Sequence, residues 1–207
     1  MRRIFKSVTL QISIATASFS LAEVARSHEG HLKPSSIHLS HQTAKTTRSI
    51  KKFSIPSAQL IRDDRVEVDF ADELRDPRPV YLNFVYTSCT SVCPVMTNNL
   101  AVLQAILGDE RDRVRFLSVS IDPEVDTVGR LAEYRRQFDA GPQWRFYTGT
   151  TEASTLIQKA FGVFSRDKMN HPVATFYRPA KGQNWVRLDG FLNPEQLEQE
   201  YRLGAAQ

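Results

Sequence analysis

A chain of 207 residues with 41% hydrophobic and 24% charged side chains can bury one ordinary core and is too apolar to be disordered throughout. Its formal charge of +4 does not describe a nucleic-acid surface. Arg2, Arg3 and Lys6 precede any fold, residues 23–52 carry six basic against two acidic side chains, and the remainder is net acidic.

The chain opens MRRIFK, runs through a modestly apolar stretch over 8–21 and reaches Ser20-Leu21-Ala22, with small residues at the two positions a signal peptidase reads. This predicts a signal peptide over 1–22, cleaved after Ala22, with an uncleaved membrane tether as the alternative. Gln11, Ser13 and Thr16 interrupt the stretch, which falls short of the roughly 20 apolar residues of a spanning helix. No cysteine lies near the junction, so a lipid carried on cysteine is not expected. Export, to the periplasm or its membrane face, places the domain where a cysteine pair can oxidise.

Residues 23–52 are polar, lack a helical or strand period, and hold His28, His31, His38 and His41. They read as a flexible tether. Imidazoles at such short spacing chelate transition metals, but nothing in the segment fixes their geometry, so they are read as solvated side chains.

The folded domain is expected over 53–207. Residues 55–61 and 65–70 alternate apolar and polar around Asp63-Asp64, the pattern of a small hairpin. Residues 79–86, PVYLNFVY, form a nearly continuous apolar run, as in a central strand covered on both faces. After Cys93, Pro94 suits the first turn of a helix whose stripe is Met96, Leu100, Leu103 and Leu107. A strand over 114–120 follows, then a break at Asp122-Pro123 and an amphipathic helix over 127–138 with Val128, Leu131, Tyr134 and Phe138 on one side. Residues 144–147 read as a short strand and 151–161 as a capped helix. A hairpin over 173–177 and 185–188 precedes a last helix, opened by Asn193-Pro194, with Leu197 and Tyr201 inward. Strands and helices in this order describe an α/β layer protein with a mixed sheet.

Both cysteines, Cys89 and Cys93, fall at the junction between the apolar strand and its helix. A thiol there feels the positive end of the helix dipole, which favours the thiolate, the form that attacks disulfides and binds soft metals. A structural disulfide or a pair of inert buried thiols is the bland alternative. His171 is the one histidine inside the expected domain, directly before the last hairpin.

Taken together, these residues resemble a known family. Tyr86-Thr-Ser-Cys-Thr-Ser-Val-Cys-Pro94 is similar to the C-x-x-x-C-P signature of the Sco/SenC family of exported, thioredoxin-like copper proteins. The segment 116–127, FLSVSIDPEVDT, resembles its S-V-x-x-D-P-x-x-D-T signature, Tyr147-Thr-Gly-Thr150 its T-G-[ST] turn, and Asn170-His171 stands at its Asp-His. The resemblance implies a thioredoxin-like fold, a mixed central sheet flanked by helices with an extra N-terminal hairpin. It also implies that Cys89, Cys93 and His171 bind copper, with Asp122 in a supporting position. Two thiolates select Cu(I) and an imidazole accommodates Cu(II) as well. The implied function is a metallochaperone that passes copper, or reducing equivalents, to a cytochrome oxidase copper-site subunit or to another copper carrier. The alternative is a thiol-disulfide oxidoreductase acting on a partner disulfide through the Cys89/Cys93 pair; a sensor, or a scaffold with a structural disulfide, stands behind both.

Three positions depart from the family pattern: Thr90 replaces a proline, Asn170 an aspartate, and Pro172 a serine or threonine. A cis proline facing the cysteines marks redox-active thioredoxins, so Pro172 predicts a cis His171–Pro172 bond and leans toward redox work.

Overall fold

The structure is a computed structural model that describes residues 46–206. The expected signal peptide and the histidines at 28, 31, 38 and 41 lie outside the described residues.

Eight strands form one mixed sheet. In chain order they are β1 (Thr47–Lys51), β2 (Gln59–Arg62), β3 (Glu67–Asp69), β4 (Val80–Val85), β5 (Arg115–Ser120), β6 (Trp144–Gly149), β7 (Ala174–Arg178) and β8 (Trp185–Asp189). Across the sheet they run β1-β8-β7-β4-β5-β6-β2-β3. The helices are α1 (Phe70–Glu73), α2 (Val92–Leu107), α3 (Val128–Gln137), α4 (Thr151–Ala160) and α5 (Pro194–Ala205). The expected hairpin is present as β2 and β3, shorter than its sequence pattern, and β2 adds antiparallel to β6.

β4 sits at the centre, parallel to β5 on one side and antiparallel to β7 on the other, and all six of its residues are buried. Its continuous apolar run follows from that position, because both faces are covered. On one face Tyr81 joins Leu100, Leu103 and Leu107 of α2, Leu131 of α3 and Leu197 of α5. On the other, Val80, Leu82 and Phe84 meet Ile157 of α4 and Phe70 of α1. The α2 stripe is almost fully buried, and each leucine in it contributes about 1.5–3 kcal/mol by leaving water. Helix starts follow local chemistry: Thr127 and Thr150 cap α3 and α4, and Asn193 with Gln196 forms a reciprocal capping box on α5.

Two elements differ from the sequence reading. β1 lies inside the segment expected to be a tether, so the sheet begins at Thr47 rather than after residue 52. Four of its five side chains are exposed and it joins β8 through backbone pairing, which leaves no apolar alternation to read. α1 is a single turn fixed by Glu73, which accepts from Arg115 at 2.7 Å and from the Tyr147 hydroxyl at 2.6 Å.

Candidate metal centre

The topology gathers the site at one edge of the sheet. β4 and β5 are parallel, so their C-terminal ends are neighbours; β7 runs antiparallel to β4, so the residues that enter it lie at the same edge. Cys89 follows β4, the loop 121–127 follows β5, and His171 precedes β7. Chain separation is thereby converted into proximity: the Cys93 sulfur lies 4.0 Å from His171 Nε2.

The cysteine loop is built by backbone geometry. A turn brings the Cys89 N–H to the Tyr86 carbonyl at 3.1 Å, and α2 starts after Ser91. The Ser91 side chain makes no capping bond. Instead the Cys89 sulfur accepts the N–H of Cys93, in the first turn of α2, at 3.4 Å. The thiol thus occupies the place of a capping oxygen and satisfies one of the unpaired donors of the helix start.

The two thiols sit in different environments. Burial raises the Cys89 pKa, but the N–H groups of Cys93 and Ser91 and the Tyr86 hydroxyl outweigh it and hold the thiol at about 6. Burial pushes Cys93 up to about 12, with Cys89 and the Asp126 carboxylate adding to the effect. Both cysteines are free. Burial also lowers the His171 pKa, against the opposing pull of the Pro172 carbonyl, so the ring is held neutral. Its Nδ1 lies 3.1 Å from that carbonyl. A carbonyl only accepts, so in this bond Nδ1 carries the proton and Nε2 presents its lone pair toward Cys93, the form in which imidazole ligates a metal.

Donor chemistry and spacing both suit a soft ion. Bonds from sulfur and imidazole nitrogen to a metal such as zinc run about 2.3 and 2.0 Å, so atoms 4.0 Å apart can share one ion. The site is not a closed cage: among the described residues, no three histidine, cysteine, aspartate or glutamate side chains are already gathered to hold a metal ion.

Asp122 pairs with Lys168 in the short 3-10 turn Lys168–Asn170, three residues before His171, which ties the loop after β5 to the histidine loop. The carboxylate that reaches the cysteine loop is Asp126, fully buried, which accepts from the Thr87 N–H at 3.0 Å, the Thr87 hydroxyl at 2.6 Å and the Ser120 hydroxyl at 2.6 Å. Sequence reasoning did not single it out. Its one signal was its place in the segment 116–127, where nothing distinguished it from Asp122. The structure corrects a further expectation: no cis peptide bond occurs among the described residues, so His171–Pro172 is trans and Pro172 gives no support to redox work.

Comparison with known proteins identifies the family and the fold. The SCO1/SenC family model matches residues 59–202. A SCO1 protein homolog of Bacillus subtilis is 37% identical over 75 residues, covering 34% of this chain; the chain spans only 37% of that relative. Among solved structures, a SCO1/SenC family lipoprotein from Bacillus anthracis aligns with a TM-score of 0.64 at 22% identity, covering 76% of this chain and 98% of the other. Bradyrhizobium japonicum ScoI with copper bound aligns with a TM-score of 0.60 at 21% identity, covering 72% and 98%. At these identities the likeness is one of fold, and the neighbours share the thioredoxin-like architecture. With two thirds of its length matched by the family model, the chain belongs to the SCO1/SenC family.

Proposed function

We propose that this protein is a copper metallochaperone that takes copper as cargo through Cys89, Cys93 and His171. The observation that carries the reading is the placement of His171 Nε2 4.0 Å from the Cys93 sulfur. The copper-bound ScoI of B. japonicum, which has the same fold, supports it. Two thiolates favour Cu(I), and the imidazole extends the range to Cu(II). On loading, Cys93 gives up its proton to water, and the two thiolates with the imidazole take the ion. Following the family resemblance, the recipient is a cytochrome oxidase copper-site subunit or another copper carrier. Export is supported by the basic and apolar start of the sequence, and the B. anthracis relative is itself a lipoprotein. Among the described residues no helix is long and apolar enough to cross a membrane.

Titration of the reduced protein with Cu(I) tests the reading. One equivalent is expected to bind, Cys89→Ser and Cys93→Ser to abolish tight binding, and His171→Ala to weaken it. Unchanged affinity in His171→Ala would sink the three-ligand site.

The unequal thiols favour a second reading, a thiol-disulfide oxidoreductase. Cys89 as thiolate would attack a partner disulfide and release one partner thiolate. Cys93, its proton passing to the partner thiolate already released, would then attack the Cys89 sulfur and release the second, leaving a Cys89–Cys93 disulfide and a partner reduced by two electrons. Turnover that survives His171→Ala but not Cys93→Ser would select this reading.

A further inference from the structure

Met169 is 68% exposed, the most exposed large apolar side chain among the described residues. A methionine serving the core would be covered, and this one stands at the rim of the site, two residues before His171. Its sulfur is nevertheless held in place. The Tyr86 hydroxyl donates to Met169 Sδ at 3.2 Å. The Tyr86 side chain also packs with Cys89 and Cys93, and its ring lies edge-on to the His171 ring with centroids 6.0 Å apart. One buried tyrosine therefore packs with the thioether, both thiols and the imidazole.

The backbone beneath Met169 is fixed as well. Its N–H donates to the Asp167 carboxylate at 2.9 Å, Asn170 donates to the same carboxylate at 2.7 Å, and the adjacent Lys168 is paired with Asp122. A thioether is a neutral, polarizable donor that selects Cu(I) among the metals of this class. It needs no deprotonation, so it offers a lone pair at any pH.

We propose that Met169 Sδ is the entry and exit donor for Cu(I), the first sulfur that arriving cargo meets and the last that departing cargo leaves. The proposal rests on the copper reading above and adds a residue to it. The step is a ligand exchange without electron transfer. Cu(I) leaves the donor ligand for the Met169 thioether, then exchanges it for the Cys89 and Cys93 thiolates and His171 Nε2. The Cys93 proton passes to water, and Met169 is left free.

Stopped-flow uptake of Cu(I) from its bicinchoninate complex by the full reduced chain tests this. Met169→Leu keeps the apolar bulk and removes the sulfur; it should slow uptake about tenfold, the scale on which a lost metal partner is felt, while the equilibrium affinity stays within about twofold. A purely structural role would not separate rate from affinity in that way. The second measurement uses methionine labelled with 13C at the ε-methyl. The chain has three methionines, Met1, Met96 and Met169, and Met96 is buried in α2. In Cys89→Ser/Cys93→Ser, Ag(I) as a redox-inert substitute for Cu(I) should shift the Met169 methyl and leave Met96 unmoved. Wild-type uptake kinetics in Met169→Leu, or an unmoved Met169 methyl, would overturn the inference with the three-ligand reading intact. A wild-type protein that takes up no Cu(I) would remove the parent reading and the inference together.

Discussion

Replacing Asp126 by alanine removes the acceptor of three hydrogen bonds, two that join the loop after β5 to the loop carrying the cysteines and one that ties it to the end of β5 itself. Thr87 contributes two of the donors and Ser120 the third, and the Ser120 hydroxyl in turn accepts the Asp122 N–H at 3.0 Å. A hydrogen bond to a charged group contributes about 1.5–3 kcal/mol, and three made by one residue are not additive. Water entering the vacated space recovers part of the loss. The expected destabilisation of Asp126→Ala is therefore about 3–5 kcal/mol, a large share of the 5–15 kcal/mol that holds a typical domain. Asp126→Asn keeps one oxygen for Thr87, and its amide can donate to a rotated Ser120 hydroxyl, so about 1–2 kcal/mol is expected. Urea unfolding of the reduced protein measures both values. Cu(I) titration of the folded alanine variant should also show weaker binding, because Thr87 no longer anchors the turn that presents Cys89. An alanine variant within about 0.5 kcal/mol of wild type, or equal to the asparagine variant, would refute the account of this carboxylate as the anchor.

Alkylation by iodoacetamide with mass mapping should label Cys89 with a midpoint near pH 6 while Cys93, pushed up to about 12, stays unlabelled across the neutral range; equal labelling would contradict the difference in environment. The same shifts set a pH profile for folding. Cys89 has a depressed native pKa, so its contribution is fully present above the unfolded thiol value of about 8.5 and is lost as pH falls through about 6. Cys93 is raised, so its contribution is present below the unfolded value and is lost as pH rises through about 12. Urea midpoints of the reduced protein should therefore rise between pH 6 and about 8.5, and Cys89→Ser should flatten that rise. Lys168→Gln or Asp122→Asn releases the histidine turn from the loop after β5, and each is expected to weaken copper binding about tenfold, with the double variant no worse than either single one. Additive losses in that cycle would show that the pair does not act as a unit.

The sequence by itself determined the elements that carry a period and the chemistry of the two signatures. The buried run of β4, the α2 stripe and the capped starts of α3, α4 and α5 were legible because burial on defined faces and the unpaired donors of helix ends leave marks in local residue choice. β1 and α1 left none: an exposed edge strand held by backbone pairing and a single helical turn need no apolar pattern. Cys89, Cys93 and His171 were identifiable as residue types in a recognisable order. What joins His171 to the cysteines is the antiparallel course of β7 beside β4, a pairing between segments more than 90 residues apart that no local pattern encodes. The roles of Asp122 and Asp126 were likewise decided only by the tertiary structure. Both are aspartates of one loop, four residues apart. The fold turns one toward Lys168 at the surface and buries the other against Thr87 and Ser120, and a carboxylate's function follows from the partners that surround it.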